Sequence, residues 1–365
     1  MSFDKIKNKL GFGCMRLKMV DDKVDKQEFN RMIDAFISAG FNYFDTAHGY
    51  IDGKSEIAIG ECLTSRYNRE DYILADKLSD WYFEKEEDIL PLFESQLKIC
   101  GVEYFDFYLF HCLTKTAYAK HKKCNSFEIV KKLKEQGKVK HIAMSFHDTA
   151  DVLDMILTEQ PYIEAVQLQI NYLDYDDPSV QSQACYEVAV KHGKKVIVME
   201  PVRGGYLVDL PDKAKDVLDK LNGGSYASYA LRYAASYPEV FMVLSGMGNM
   251  DMMQDNINTF TNFVPFSKEE YEATDRVREI IREVRQIPCT KCSYCTEVCP
   301  KNIPIPDLFA VYNQVLAAKK TPGQAKELLP EDKPTAADCI KCGKCEGVCP
   351  QNIVIKQHLE KISKM

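Results

Sequence analysis

Eight of the chain's fourteen cysteines fall in two runs of identical spacing. The first is Cys289-x2-Cys292-x2-Cys295-x3-Cys299-Pro300, the second Cys339-x2-Cys342-x2-Cys345-x3-Cys349-Pro350. Three cysteines on a tight loop place three thiolates around one face of an iron–sulfur cubane. The fourth begins the next segment and points away, so it serves the other cluster. The spacing therefore predicts two [4Fe-4S] clusters, one on Cys289, Cys292, Cys295 and Cys349, the other on Cys339, Cys342, Cys345 and Cys299. Paired zinc sites are the competing reading, but zinc needs only four ligands and commonly takes shorter C-x2-C units. A disulfide scaffold suits a small secreted chain, not one of 365 residues. The remaining cysteines (14, 62, 100, 112, 124 and 185) are scattered and read as small apolar residues. The tail holds this duplicated motif but no longer repeat is evident.

Ahead of the tail, short apolar runs alternate with amphipathic ones. Strands are predicted at 10–14, 41–45, 72–76, 105–110, 140–145, 164–169, 195–199 and 241–245, several of them β-rich and uninterrupted, as parallel strands buried on both faces are. Helices are predicted at 25–39, 84–100, 126–136, 149–159 and 180–192, with glycine stops at Gly40, Gly101 and Gly193. Eight such alternations over some 250 residues suit a (β/α)₈ TIM barrel, with a doubly wound open sheet as the alternative. A polar helix is expected over 268–286 and another over 306–320. The division expected is a barrel over 1–266, a connecting helix over 267–286, and over 287–365 a small, mostly α-helical ferredoxin-like domain with two [4Fe-4S] clusters. That tail is similar to the α-helical ferredoxins found fused to flavin and succinate/fumarate enzymes, whose long spacer between the two runs it shares.

Four titratable residues stand at or just beyond predicted strand ends: Asp45, Tyr50, Lys77 and His111. The carboxyl end of a barrel is where active sites are built, so these groups should converge over one mouth. In order and position they resemble the Asp-Tyr-Lys-His tetrad of the aldo-keto reductases, and the likeness runs over about 9–263. The resemblance implies carbonyl reduction with a nicotinamide cofactor. Tyr50 would donate the proton, Lys77 would lower its pKa, Asp45 would hold Lys77 charged, and His111 would orient the carbonyl. It also implies a cofactor cradle of Ser145, Gln167, Met199, Pro201, Val202, Gly204, Gly246, Asp255 and Asn256. Three departures stand out. Phe146 replaces an asparagine, Met199 replaces a stacking tyrosine, and Gly246 and Met252 occupy positions that are basic in many NADPH-using members. A 2′-phosphate needs cations or several donors, so NADP(H) and NAD(H) both stay open.

Clusters pass single electrons whereas hydride chemistry moves two together, so the two halves need an explanation. In one reading the barrel is a carbonyl reductase and the clusters are structural or redox-sensing. In a second, a flavin or flavoprotein partner lies between hydride and clusters, and a ferredoxin is the further partner. In a third, catalysis is lost and the chain is an electron-transfer subunit; the full tetrad argues against this. The expected substrate is a small carbonyl compound. A formal charge of −7 gives no reason to expect nucleic acid, and no run approaches the roughly 20 apolar residues that span a bilayer. A cytoplasmic location is expected. The loop over 113–125 is Lys-rich and reads as a solvated face or a weak attractor of anions.

Overall fold

The computed structural model describes residues 3, 5–221, 223–283, 286–316, 320–328 and 333–365. Eight parallel strands close into a barrel. They are β1 (Leu10–Gly13), β2 (Tyr43–Asp45), β3 (Ile73–Leu78), β4 (Phe105–Leu113), β5 (Val139–Phe146), β6 (Ala165–Gln169), β7 (Lys195–Met199) and β8 (Val240–Ser245). Closure is made by β1, which pairs with β2 at Gly11↔Tyr43 and with β8 at Leu10↔Val243. All eight lie within a few residues of the strands expected from sequence, because a strand buried on both faces leaves an apolar run. The interior is filled by Tyr43, Ile73, Ala75, Phe107, Leu109, Ala143, Ala165, Ile197, Met242 and Leu244. Below them Phe3 stacks on Phe241 at 4.7 Å and meets His141 edge-on at 4.9 Å.

The outer helices follow from caps and periodicity. Helix Lys26–Ser38 starts where the Asp25 side chain accepts the Glu28 amide, and buries Phe29, Met32, Ile33 and Phe36. Fully burying side chains of this size stabilises by about 1.5–3 kcal/mol each. Helix Ile89–Cys100 ends at Gly101, whose φ of 66° is the left-handed stop that favours glycine. Several helices went unread in the sequence, Asp212–Leu218, Tyr226–Ala235 and Ile355–Ser363 among them, and so did two earlier in the chain. Lys54–Ile59 runs into a π turn over Gly60–Thr64. Lys115–Lys123 replaces the expected 113–125 loop: the Thr114 side chain caps it, and Ala117, Tyr118 and His121 are its buried residues. Of its lysines, Lys120 pairs with Glu84 at 3.2 Å and Lys122 with Glu159 at 2.7 Å, so the charge is matched locally and the solvated-face reading fits. Helix 268–286 is observed as Lys268–Glu283 and helix 306–320 as Ile305–Leu316; residues 284–285 and 317–319, onto which the expectations run, lie outside the described residues.

Two compact units emerge, one of Met1–Pro201 with Ala227–Ser267, the other of Val202–Tyr226 with Lys268–Met365. The excursion after β7 thus groups with the tail, unlike the 1–266 segmentation, and so does the helix assigned to a connection. One reason is visible at Gly204: with φ of 65°, its missing Cβ would stand 2.4 Å from the Thr290 carbonyl oxygen.

Within the second unit the duplication extends beyond the cysteines, contrary to the sequence reading. At an offset of fifty residues, Lys291 and Lys341 have φ of 58° and 57°, Ser293 and Gly343 have 70° and 81°, and Asn302 and Asn352 have 51° and 50°. Short helices Tyr294–Glu297 and Lys344–Gly347 correspond, as do Ile305–Leu316 and Ile355–Ser363. Ile303, Ile305, Ile353 and Ile355 share one core with Phe309, Leu359 and Ile362.

Candidate active site and cluster cavities

Asp45 is the last residue of β2 and Lys77 the penultimate residue of β3, so adjacent parallel strands deliver them side by side. Lys77 Nζ donates to Asp45 Oδ1 at 2.7 Å and to the Thr46 carbonyl at 2.7 Å. Lys77 is fully buried and Asp45 is 2 % exposed. Burial lowers the Lys77 pKa, but Asp45 and then Tyr50 outweigh it and hold the ammonium above its ordinary range. Burial pushes the Asp45 carboxyl up while Lys77 pulls it down. The short contact and the second acceptor at Thr46 favour an ionised pair.

Tyr50 follows β2 in a turn in which its N–H donates to the Ala47 carbonyl at 3.0 Å. The loop is anchored by Ser55, whose hydroxyl donates to the Cys14 carbonyl at 2.9 Å and lies 2.8 Å from Thr46 Oγ1. Lys77 Nζ stands 4.6 Å from the Tyr50 ring centroid, and the His111 ring lies 6.0 Å from it, edge to face. The tyrosine is 6 % exposed. Burial raises its pKa and the opposing Lys77 only partly offsets this, so the net shift is upward. That differs from the sequence reading, which weighed the cation and not the dry surroundings.

His111 lies inside β4, which is longer than expected. Between Phe110↔Met144 and Leu113↔Phe146 the register shifts, and Cys112 adopts φ of 51°. A bulge of this kind re-aims side chains at a barrel rim. The Cys112 N–H donates to Ser145 Oγ at 2.8 Å. The His111 ring Nδ1 is 2.6 Å from Ser79 Oγ, and Trp81 packs 5.1 Å from it. Burial, then Lys77, His147 and His121, holds the imidazole pKa well below its ordinary value, so it is neutral at pH 7. Sequence reasoning missed Ser79; its position two residues past Lys77, just beyond the end of the same strand, was the available signal.

Behind this group lies a buried polar layer that sequence reasoning also missed. Glu56 is fully buried and accepts from Gln96 Nε2 at 3.1 Å, and its other oxygen lies 2.9 Å from His48 Nδ1. Asp76, also fully buried, accepts the Lys77 N–H at 2.8 Å, and burial, then Glu56, holds its carboxyl well above the usual range. The glutamate and histidine are eight residues apart, on a loop and the helix after it, which no sequence period flags.

The expected cradle residues are distributed as follows. Ser145 is the penultimate residue of β5 and Gln167 lies within β6, 1 % and 3 % exposed. Gln167 Nε2 points at Met199 Sδ at 3.4 Å, whereas its Oε1 is buried without a hydrogen-bond partner. A Cβ on Gly246 would meet Arg16 Cδ at 3.1 Å, so the arginine stem from the turn after β1 lies over that glycine. Asn256 turns inward, donating to Ser245 Oγ at 2.8 Å. Asp255 is half-buried beside it, and Met252 is 51 % exposed. Pro201 ends the first unit's first segment, while Val202 and Gly204 belong to the second. The close approach that Gly204 permits is to Thr290.

In the second unit one cavity is lined by Cys289, Cys292, Cys295 and Cys349. Another is lined by Cys299, Cys339, Cys342 and Cys345. Each run thus contributes three cysteines to one cavity and its fourth to the other, the grouping the spacing predicts.

A closed parallel barrel with an Asp-Lys pair, a tyrosine and a histidine gathered at its carboxyl end defines a reductase-type barrel. The Aldo/keto reductase family model matches residues 9–279, and the chain belongs to that family. A 4Fe-4S dicluster domain model matches residues 288–354. Among relatives, the "Uncharacterized oxidoreductase YqkF" of Bacillus subtilis is 23% identical over 300 residues, 73% of this chain and 91% of that one. A "Probable aldo-keto reductase 1" of Glycine max is 25% identical, over 68% of this chain and 80% of its own. Among solved structures, an aldo-keto reductase from Bacillus halodurans in its holo form superposes with a TM-score of 0.62 at 23% identity, over 74% of this chain and 91% of its own. One from Klebsiella pneumoniae in complex with NADPH gives 0.61 at 18% identity, over 74% and 90%. Among the described residues no helix is long and apolar enough to cross a membrane.

Proposed function

We propose that the barrel reduces the carbonyl of a small organic substrate, with Tyr50 as proton donor, and that the second unit carries two [4Fe-4S] clusters. The observation carrying the reading is the dry Lys77–Asp45 pair set against Tyr50, with a neutral His111 edge to face with the tyrosine ring. A bound nicotinamide would supply the hydride. The chain's own residues do the rest. An upward-shifted phenol is fully protonated at neutral pH and so holds the proton to be given. As negative charge grows on the substrate oxygen, that proton moves to it, and the nearby ammonium stabilises the tyrosinate left behind. Asp45 keeps the ammonium charged. A Ser79 hydroxyl donating to Nδ1 leaves the His111 proton on Nε2, able to donate to the carbonyl oxygen.

The residues present suit a carboxamide. The orphaned, buried Gln167 Oε1 needs a donor, and an amide NH₂ supplies one. Ser145 Oγ already accepts from Cys112 and keeps its own proton for the carboxamide oxygen. The Arg16 stem crosses Gly246, and a guanidinium carried on it to a cofactor phosphate would favour NADP(H) over NAD(H). The four-cysteine cavities suit cubane clusters, each closed by a thiolate from the other run. The test is steady-state turnover of the intact, anaerobically prepared protein with NADPH or NADH and an aromatic aldehyde. Tyr50→Phe should lower kcat by about 10²–10⁴-fold, the usual contribution of a general acid, and undiminished turnover in that variant would overturn the assignment.

A further inference from the structure

The fifty-residue offset allows the two cluster cavities to be compared position by position, and their cysteines correspond while their other lining residues do not. Where one cavity is lined by Thr290, Ser293, Pro306 and Gln351, the other has Ile340, Gly343, Lys356 and Lys301. Lys341 also lines the second. No charged side chain lines the first among the described residues. Exposure differs in the same sense: Thr290 is 2 % exposed and its counterpart Ile340 58 %. Cys342 is exposed, whereas Cys292 is half-buried.

Resting on the cluster reading above, we propose that the Cys299/Cys339/Cys342/Cys345 cavity is the electron port of the chain: its cluster is the more easily reduced of the two, and the lysine-rimmed surface around Ile340 docks a small acidic one-electron carrier protein. Three arguments converge. Reduction adds one negative charge to a cluster, and cations and solvent at its edge favour the reduced form. Lys301, Lys341 and Lys356 supply those cations at one site only. Two of them have counter-ions: Lys341 with Glu360 at 3.4 Å, an exposed and screened pair, and Lys356 with Glu346 at 3.1 Å, a half-buried one. Lys301 forms no ion pair among the described residues, though it acts on Asp338 at longer range. Second, an exposed isoleucine ringed by lysines has the apolar centre and charged rim of a transient docking surface. Third, residues 287–365 hold eleven lysines and no arginine against eight carboxylates, in a chain whose overall charge is −7. Two oxidised clusters, each about 2− with its four thiolates, leave the tail near −1 against −10 for the rest, so an acidic partner is repelled least at the tail and the local lysines set where it lands. The exchange is a single electron with no proton: the reduced carrier is oxidised by one electron and the 2+ cluster becomes 1+.

The test uses full-length protein prepared anaerobically. Iron and labile sulfide content come first, and their absence would refute the cluster reading itself. With both clusters present, a redox titration followed by electron paramagnetic resonance should resolve two reduction steps. A Lys301→Gln/Lys341→Gln/Lys356→Gln variant should move the earlier step toward the later and leave the later unmoved. Stopped-flow reduction by a small acidic [2Fe-2S] ferredoxin, the probe, should slow as salt rises for the wild type and be at least tenfold slower in the variant at low salt. Should the triple variant lose iron, Lys301→Gln alone and the wild-type salt dependence carry the test. A salt-independent wild-type rate, a variant within twofold of wild type, or a shift of the later step would overturn the port.

Discussion

Replacing Lys77 with methionine probes the barrel site through stability. The substitution keeps most of the buried volume but removes the one cation that, among the described residues, is bonded to Asp45, which is 2 % exposed and has its second oxygen without a partner. Breaking one side of a buried pair typically costs about 3–5 kcal/mol, because a charge is left uncompensated. Asp45 can avoid that by taking up a proton. With an unfolded pKa near 3.9 and about 1.36 kcal/mol per pH unit, protonation costs about 4 kcal/mol at pH 7 and about 1.5 kcal/mol at pH 5. The sign follows from the variant's folded pKa being raised above its unfolded value: the native state keeps a proton that the unfolded state releases, so stability is present at low pH and lost as pH rises. The assay is urea unfolding at pH 5 and pH 7, read from Trp81, the chain's single tryptophan, which packs 5.1 Å from His111. A variant destabilised by less than about 1 kcal/mol at pH 7, or by the same amount at both pH values, would refute the ionised pair.

Three further outcomes are expected. The His48 imidazole is held above its ordinary value by its hydrogen bond to Glu56, with burial opposing, so its contribution is full below the unfolded pKa and fades as pH rises through the folded one. His48→Gln should therefore lower the melting temperature at pH 6, by the equivalent of about 1 kcal/mol, and much less at pH 9; equal losses at both would count against it. Cys289→Ser/Cys349→Ser should leave one intact cluster, about four irons per chain, while Cys289→Ser/Cys299→Ser should lose both. Iron analysis showing the reverse pattern would mean that each run closes its own cluster. Arg16→Gln should weaken NADPH binding more than NADH binding, by about tenfold for one lost charge-assisted contact, and an equal effect on both would remove Arg16 from the phosphate site.

Much of this molecule was legible in its sequence, and the unread parts share a cause. The eight strands announced themselves because burial on both faces imposes an apolar run. The tetrad was readable because Asp45, Lys77 and His111 lie at or near strand ends, where the barrel rim gathers side chains. The cysteine runs carried their crosswise grouping in their spacing. What stayed hidden depends on pairings between segments that no local period encodes. The bulge at Cys112 exists only against β5. Ser79 and Glu56 matter through partners 32 and 8 residues away. Gly204 stands in the cofactor cradle that the resemblance implies, yet the backbone it admits belongs to Thr290, 86 positions on in a different segment. The upward shift of Tyr50 comes from dryness, a property of packing, whereas the lysine beside it could be read directly. The long duplication in the tail escaped notice because its chemistry has diverged even where its backbone has not.

Label transfer from the cofactor tests the central claim most directly. With NADPH carrying deuterium at the transferable C4 position, supplied to the intact protein with an aromatic aldehyde, mass spectrometry of the alcohol reads the path of the hydride. Direct transfer at the barrel mouth predicts one deuterium on the carbinol carbon of every product molecule. Product formed at a normal rate but with the label lost to water would contradict it, and would point to a flavin or the clusters standing between cofactor and substrate.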